Sequence, residues 1–288
     1  MVENMEKNLI ASIFGIIILS TLVNAEVVSE EKNPVAIFGK FILWFAISAY
    51  TITALRKKTL SSKAYFLMVA LSVIITGFLL GADPSSVGVI QDTLVMLETN
   101  QIFLPRFVGL AVFLLFIVVA GRIFCGVCCP FGILQDLTSR LGLNRINLPN
   151  KQANLVRGIF FLAMVAYTFL FGVSFFEPIT PFSIFKSETL QGQLTNNAPV
   201  VGIFFIFAAV LVYRPFCRLM CPYGFIANLF TNKARFVLAR DDKCINCGAC
   251  VRACPTQQAD RGNPHKECYY CRRCIQVCPT QAIYLKKN

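Results

Sequence analysis

The chain has 288 residues, of which 56% are hydrophobic and only 15% are charged. This balance is typical of a membrane protein and excludes an ordinary soluble enzyme of one or two domains. The net charge of +12 is distributed over alternate loops between apolar segments, which is the pattern of a membrane protein and not that of a nucleic-acid-binding surface.

Six apolar segments have nearly the length that crosses a hydrocarbon core. They are Leu9–Val23, Val35–Leu55, Ala64–Gly81, Phe107–Ile123, Ile159–Phe176 and Pro199–Phe216. Residues 23–25 resemble a signal-peptidase site, but Glu3 and Glu6 make the leader acidic, so we expect a retained first helix. The positive-inside rule then predicts a multi-pass protein of the cytoplasmic membrane, with both termini in the cytoplasm.

The last four spans contain an internal repeat of two helices, which is clearest at their inner ends. The two copies read RIFCGVCCP from Arg122 and RPFCRLMCP from Arg214. At the outer ends, Asp83-Pro84 echoes Glu177-Pro178. We expect a parallel repeat about an axis along the membrane normal, with both C-x3-C-P motifs at the cytoplasmic interface. Apolar residues at helical spacing behind each motif predict a helix that lies along this interface.

The two C-x3-C-P motifs would together supply four thiols. They are Cys125, Cys129, Cys217 and Cys221. Spacing of four places each pair on one helical face, although the proline biases the preceding residue away from helical dihedrals. Four sulfurs suit an iron–sulfur cluster, zinc or Cu(I), and the alternative is a set of small apolar residues at helix ends. The matching flanks favour a metal or redox role. Cys128 has no counterpart, because Met220 replaces it, and we expect a structural role.

Eight of the thirteen cysteines lie in two later runs, each of the pattern C-x2-C-x2-C-x3-C-P. This spacing is typical of bacterial ferredoxins, in which a cubane cluster takes three thiolates from one run and the fourth from the other. The expected ligands are Cys244, Cys247, Cys250 and Cys278 for cluster 1, and Cys268, Cys271, Cys274 and Cys254 for cluster 2. A zinc site or a disulfide framework does not explain two runs with the same internal spacing.

The predicted fold is an α-helical membrane protein of about six transmembrane helices with a C-terminal α+β domain that resembles a bacterial ferredoxin with two [4Fe–4S] clusters. The predicted domains are residues 1–63 with two helices, residues 64–240 with the four-helix repeat, and residues 241–288 with the cytoplasmic ferredoxin domain. A large share of cysteine in these runs also indicates a reducing compartment.

Missing residue types narrow the chemistry. The sole histidine, His265, cannot provide axial pairs for haem, and no C-x-x-C-H run is present, so we expect no haem. No nucleotide-binding glycine motif is present either. Asp83 and Glu177 could accept quinol protons but are better explained as solvated loop acids. Arg122 and Arg214 either tune the motif site or anchor the inner face.

The order of motifs resembles the polyferredoxin-type membrane proteins that include NapH and the C-terminal half of NosR. The residues that carry the resemblance are Cys125, Cys129, Pro130, Cys217, Cys221 and Pro222, followed by the eight ferredoxin cysteines. It covers roughly residues 64 to 288 and implies electron exchange between quinol and a redox partner, within a complex of redox subunits. The chain lacks a loop long enough for the flavin-binding domain of NosR-like proteins, and its first two helices are additional to the four spans of NapH-like proteins.

The leading hypothesis is a membrane-bound iron–sulfur electron-transfer subunit of a quinol dehydrogenase complex, linking quinone or an outer redox partner with cytoplasmic clusters. An acidic soluble carrier would be attracted by basic residues of the ferredoxin region, namely Arg252, Arg261, Lys266, Arg272 and Arg273. One alternative is a maturation factor that handles copper with the C-x3-C-P thiols. Another is an anchor that tethers a ferredoxin module to a larger complex.

Overall fold

The computed structural model describes residues 34–57, 61–79, 81, 85–99, 104–142, 146, 148–172, 180–185, 198–231, 234–260 and 265–287. The predicted first span, Leu9–Val23, lies outside these residues, as do Asp83 and Glu177. The described part of the chain is mostly helical, with one two-stranded sheet near its C-terminal end.

The described part of the N-terminal half begins with four helices, of which the first, second and fourth follow predicted spans. They are α1 (Pro34–Arg56), α2 (Ser62–Ser72) with its π-helical continuation (Val73–Leu79), α3 (Ser86–Thr99) and α4 (Leu104–Ala120). Ser61 caps α2, since its hydroxyl accepts a hydrogen bond from the backbone N–H of Ala64 at 3.1 Å. The π-helical segment packs against α6, next to the first cysteine motif. In proteins generally, π-helical segments often occur at functional sites.

Each C-x3-C-P motif is split between two short helices. The first motif forms α5 (Ile123–Val127) and α6 (Pro130–Thr138), and the second forms α9 (Pro215–Leu219) and α10 (Pro222–Phe230). Cys129 and Cys221 are extended, with φ/ψ of −72°/110° and −67°/114°, because each precedes the proline that begins the next helix. The expectation that both cysteines of a motif share one helical face is therefore wrong.

Between the motifs lie α7 (Asn150–Phe171), a 3₁₀ turn (Pro181–Phe185) and α8 (Ala198–Ala208). Among the described residues, α7 alone is long and apolar enough to cross a membrane, and shorter apolar helices cover Phe41–Arg56, Ser62–Phe78 and Arg106–Ala120. Helix α8 has 11 residues, or about 16 Å of helix, and ends before the predicted limit of the sixth span.

The second helix of each motif contacts both halves of the repeat. Helix α6 packs against the π-helical segment and α8, and α10 packs against α7 and α4. Aromatic rings fill the space between the halves: Phe113 lies 5.1 Å from Phe124 and 5.7 Å from Tyr223, measured between ring centroids. The two motifs are consequently held in one core.

The C-terminal region is an α+β unit built around the two cysteine runs. Its elements are β1 (Phe236–Arg240), α11 (Ala249–Ala253), α12 (Arg273–Gln276) and β2 (Ile283–Lys287). The strands are antiparallel, with Phe236 opposite Lys287 and Arg240 opposite Ile283. Strand β1 precedes residue 241, the predicted start of the ferredoxin domain, and pairs with β2 inside that domain.

The ligand loops of this unit use the same backbone conformation twice. Asn246 and Gly248 in the first run have positive φ, and so do their counterparts Tyr270 and Arg272 in the second. Residues other than glycine rarely adopt this region. Its occurrence at equivalent positions shows that both runs curl in the same way around a central space.

Candidate iron–sulfur centres

All four cysteines of the C-x3-C-P motifs line one pocket, which we call the motif pocket. Cys125, Cys129, Cys217 and Cys221 are each 7% to 8% exposed. The other walls are largely aromatic and include Phe131, Phe182, Phe216, Tyr223 and Tyr269. The structure thus brings together four thiols that are up to 96 residues apart in sequence, counted from Cys125 to Cys221.

Cys128 points away from this pocket. Its sulfur lies 3.2 Å from the hydroxyl of Ser48 and 3.6 Å from the carbonyl oxygen of Trp44, both on α1. It is fully buried and does not line the motif pocket. Cys128 therefore connects α1 to the first motif, which agrees with the structural role expected from its missing counterpart.

Glycine and arginine hold the two motifs in matching geometry. The carbonyl oxygen of Cys125 accepts a hydrogen bond of 2.7 Å from Arg214, and that of Cys217 accepts one of 3.2 Å from Arg157. A Cβ atom on Gly132 would lie 2.8 Å from the first carbonyl oxygen, and one on Gly224 would lie 2.9 Å from the second. Both positions consequently require glycine.

A buried ion-pair cluster joins the ferredoxin-like unit to the repeat. Glu267 accepts hydrogen bonds from Arg122 at 3.0 Å and from Arg157 at 2.6 Å, and the hydroxyl of Tyr269 donates to its second oxygen at 3.0 Å. Burial favours the neutral form of Glu267, but the two guanidinium groups outweigh it and hold its pKa below the usual value. Glu267 is therefore a carboxylate when it contacts the repeat.

Positive charge is in excess beside the motif pocket. Arg214 is fully buried and stacks over the ring of Tyr269, with 4.7 Å between the guanidinium carbon and the ring centroid. Within the described ranges it forms no ion pair, and its Nε and Nη2 atoms have no hydrogen-bond partner. Glu267 is thus shared by two guanidinium groups, those of Arg122 and Arg157, and Asp136 is the carboxylate that acts on Arg214 electrostatically. An iron–sulfur cluster bound by four thiolates is anionic, so this surplus of positive charge and the four sulfur donors fit such a group.

The eight cysteines of the ferredoxin-like unit fall into two cavities. The proximal cavity, next to the motif pocket, is lined by Cys254, Cys268, Cys271 and Cys274. The distal cavity is lined by Cys244, Cys247, Cys250 and Cys278. These two sets are the same as the ligand sets predicted for clusters 2 and 1. Each cavity thus receives three cysteines from one run and the fourth from the other.

Backbone N–H groups point at the fourth sulfur of each run. Gln258 donates to the sulfur of Cys254, and Ala282 donates to that of Cys278, both at 3.3 Å. Burial favours the thiol form of Cys278, but hydrogen bonds from Ala282 and Thr280 prevail and hold its pKa below the usual value. Such bonds stabilise a thiolate, which is the form that binds iron, and they also influence the reduction potential of a bound cluster.

One tyrosine forms a wall of both the motif pocket and the proximal cavity. Tyr269 lines each of them, and Arg122 donates to its hydroxyl at 2.9 Å. The backbone at Tyr269 lies so close to Gly126 of the first motif that a Cβ atom there would overlap the Tyr269 carbonyl oxygen. The ferredoxin-like unit is thus in direct contact with the first motif.

Within the described residues, no three His, Cys, Asp or Glu side chains are close enough together to hold a single metal ion. The four motif cysteines and several aromatic rings line the same space. Four sulfur donors suit an iron–sulfur cluster, zinc or Cu(I), and the donor set alone does not select among them.

Comparison with known proteins identifies the family. A family of 4Fe-4S binding domains matches residues 102–149 and 198–238, which contain both C-x3-C-P motifs, and a second 4Fe-4S binding domain family matches residues 240–258. The chain is 30% identical over 195 residues to an uncharacterized protein of Methanocaldococcus jannaschii, in a match that covers 65% of this chain and 69% of the relative.

The relatives include proteins with descriptive names. The chain is 31% identical over 153 residues to the methylamine utilization ferredoxin-type protein MauN of Methylorubrum extorquens, covering 51% of this chain and 52% of MauN. It is 27% identical over 146 residues to the ferredoxin-type protein NapH of Escherichia coli, covering 49% of this chain and 50% of NapH. No solved structure matches the chain. The chain belongs to the NapH-type polyferredoxin family.

The resemblance predicted from the motif order is thereby confirmed. This NapH-type polyferredoxin is an iron–sulfur protein of ferredoxin type that takes part in electron transport. In these two matches it spans about half of each relative, namely 52% of the Methylorubrum extorquens MauN and 50% of the Escherichia coli NapH.

One prediction about the basic surface of the ferredoxin region is wrong. Arg272 and Arg273 were expected to attract an acidic carrier, but both are 7% exposed. Arg272 donates to the carbonyl oxygen of Ser61, and Arg273 forms an ion pair with Asp136. Arg252 is exposed, Lys266 is half-buried, and Arg261 lies outside the described residues.

Sequence reasoning missed two residues of the site. Arg157 and Glu267 form the ion pair between the repeat and the ferredoxin-like unit, and neither belongs to a cysteine motif. The only sequence signal is a charged residue at the edge of an apolar helix, in the case of Arg157. Such a residue is usually interpreted as an interface anchor.

Proposed function

We propose that this protein is a membrane-embedded electron-transfer subunit that links quinone or an outer redox partner with two [4Fe–4S] clusters in the cytoplasm. The ligands are the cysteines of the proximal and distal cavities. The four thiols of the motif pocket hold a third iron–sulfur cluster. Each cluster, when bound, accepts and releases one electron without other chemical change.

Apolar surface supports the membrane location. Large hydrophobic side chains are exposed along several helices, among them Leu115 on α4, Leu162 and Leu170 on α7, and Phe204 and Phe207 on α8. A water-soluble chain rarely exposes so continuous an apolar surface. We infer a multi-pass arrangement of six spans with both termini in the cytoplasm, in agreement with the alternation of basic and acidic loops.

The residues around the motif pocket have distinct tasks in this proposal. Arg214 neutralises charge at the pocket, and Arg122 and Arg157 hold Glu267 so that the ferredoxin-like unit keeps its position. The aromatic walls exclude water. The burial of all four motif thiols keeps the group they bind away from solvent oxidants.

The observation that carries the proposal is the shared wall at Tyr269. The motif pocket and the proximal cavity are separated by one residue, so electron carriers bound in them would be close neighbours. An anchor with purely structural cysteines would not need this arrangement. Both the contact at Gly126 and the ion pairs of Glu267 fix it.

A quinone reoxidation experiment tests the proposal. The purified protein, in lipid nanodiscs and without oxygen, is reduced with dithionite, and the excess is removed. Electron paramagnetic resonance then follows reoxidation of the ferredoxin-type clusters after a quinone is added. We expect wild type and Cys128→Ser to be reoxidised, whereas Cys125→Ser/Cys217→Ser stays reduced until ferricyanide is added. Reoxidation of the double variant by quinone at the wild-type rate would overturn the proposal.

A further inference from the structure

The three thiolate sites have a fixed order in space. The motif pocket shares Tyr269 with the proximal cavity. The proximal cavity in turn shares Arg240, Asp260 and Ile283 with the distal cavity, which has no lining residue in common with the motif pocket. The distal cavity is therefore the end of the series that lies farthest from the repeat.

The two cysteine runs present equivalent positions to different surroundings. Tyr269 and Tyr270 in the second run are 2% and 4% exposed, because this loop packs against the first motif. Their counterparts in the first run are Ile245, which is 64% exposed, and Asn246, which is also exposed. One run thus provides the internal contact, and the corresponding loop of the other run faces outward with an apolar side chain at its tip.

The outward loop lies directly beside the distal ligands. Ile245 follows Cys244 in the chain, Cys247 is exposed, and Val277, which precedes Cys278, is 43% exposed. An apolar contact on this surface would bring a partner next to the bound group. We call this surface, formed by Lys243, Ile245, Cys247, Arg252 and Val277, the distal face.

Basic side chains flank the apolar centre of the distal face. Lys243 and Arg252 are exposed, and a Cβ atom on Gly248 would lie 3.2 Å from Nη1 of Arg252, so the guanidinium group is beside the ligand loop. Asp242 is the exposed acidic neighbour in sequence. A small surface with an apolar centre and basic rim is typical of brief encounters between redox partners, in which charge accelerates association.

We propose that the distal face is the docking surface for a small acidic electron carrier, of the flavodoxin or ferredoxin class. This inference rests on the proposed electron-transfer function. The reduced carrier loses one electron and the cluster bound by the distal cysteines gains it, with no bond made or broken. The acidic surface of the carrier meets Lys243 and Arg252, and its apolar cofactor edge packs on Ile245 and Val277.

Charge reversal on the distal face tests this inference. Lys243→Glu/Arg252→Glu is compared with Lys63→Glu/Lys151→Glu, a control with the same change in net charge at exposed residues elsewhere. Stopped-flow absorbance measures reduction of the clusters by a reduced acidic flavodoxin. At low ionic strength we expect the distal-face variant to react about tenfold more slowly and the control to change less than about twofold. The difference should disappear near about 0.5 M salt, where charges are screened.

A second variant and a second donor separate docking from damage to the clusters. Ile245→Ser removes apolar contact without changing charge, so it should slow flavodoxin at every salt concentration. Near about 0.5 M salt, where charges are screened, reduced methyl viologen should reduce the clusters of every variant at the wild-type rate. An equal loss in the control variant, or no loss in the distal-face variant, would overturn the inference.

The remaining outcomes are also decisive. If the wild-type protein forms dimers that Lys243→Glu/Arg252→Glu abolishes, the distal face belongs to a second copy of this chain and the inference fails. Quinone reoxidation of the wild-type protein needs no carrier, so it tests the proposed function separately. If the wild-type protein reacts with quinone but not with flavodoxin, the proposed function stands and the proposed docking surface is wrong.

Discussion

Gly132 of the first motif should be sensitive to the addition of a single methyl group. In Gly132→Ala, the new methyl group would lie 2.8 Å from the carbonyl oxygen of Cys125 and 3.3 Å from Nη1 of Arg214. The carbonyl must retreat by about 0.6 Å to reach an ordinary contact, which weakens its 2.7 Å hydrogen bond from Arg214. The higher helix propensity of alanine stabilises the fold by about 1 kcal/mol, but the overpacking and the weakened hydrogen bond destabilise it by more. We therefore expect the free energy of unfolding to fall by about 3 kcal/mol.

The matched control is Gly109→Ala in α4. A Cβ atom there would lie 3.5 Å from its nearest neighbours, which is an ordinary contact, so we expect no loss or a gain of up to about 1 kcal/mol. Thermal unfolding in detergent measures both variants, and a loss of about 3 kcal/mol corresponds to a fall of roughly 6 °C. Equal melting temperatures for Gly132→Ala and the wild type would refute the claim that the first motif requires glycine at position 132.

Two further substitutions test the charges of the site. Arg214→Gln removes the buried positive charge beside Cys125, so the reduction potential of the cluster in the motif pocket should fall by about 60 mV. Redox titration followed by electron paramagnetic resonance measures this potential. The control is Arg218→Gln, which is also buried but donates to other acceptors and should leave the potential unchanged. Glu267→Gln leaves the guanidinium groups of Arg122 and Arg157 without a carboxylate and should lower the free energy of unfolding by about 3 kcal/mol, as measured by thermal unfolding. Asp92→Asn breaks a partly exposed ion pair and should lower it by less than about 1 kcal/mol. Equal decreases in the two variants would contradict the account.

The cysteine pattern anticipates local geometry well. The spacing in each run fixes short loops, and the left-handed conformations at Asn246 and Tyr270 follow from the same tight curl. The division of the eight cysteines between two cavities needs only this local repetition and one exchange between runs. Their assignment as cluster ligands remains a prediction until the metal content is measured.

Long-range partners were beyond sequence reasoning. Arg157 lies 110 residues from Glu267, and hydropathy began the corresponding span at Ile159, whereas α7 begins at Asn150. The periodic pattern does not reveal that a charged side chain near the edge of an apolar helix is turned inward toward an acid. Arg273 was assigned to the surface for the same reason, since its partner Asp136 is distant in sequence.

The length of the sixth span shows another limit. The apolar run from Pro199 to Phe216 predicts a continuous helix, but α8 ends at Ala208, and Arg214 takes a left-handed conformation before Pro215. Proline disfavours a helical conformation in the residue before it. Hydropathy detects the apolar run but not the break in the helix. This break allows Arg214 to reach the first motif, where it donates to the carbonyl oxygen of Cys125.

Counting iron tests the central claim most directly. If the motif pocket holds a third [4Fe–4S] cluster, the anaerobically purified protein should contain about twelve irons per chain and no copper. The Cys125→Ser/Cys217→Ser variant should retain about eight, and Cys128→Ser should retain about twelve, because its sulfur faces Ser48 and not the pocket. A wild-type content of about eight irons, unchanged in the double variant, would contradict the account, and bound copper that the double variant loses would assign the pocket to metal handling instead.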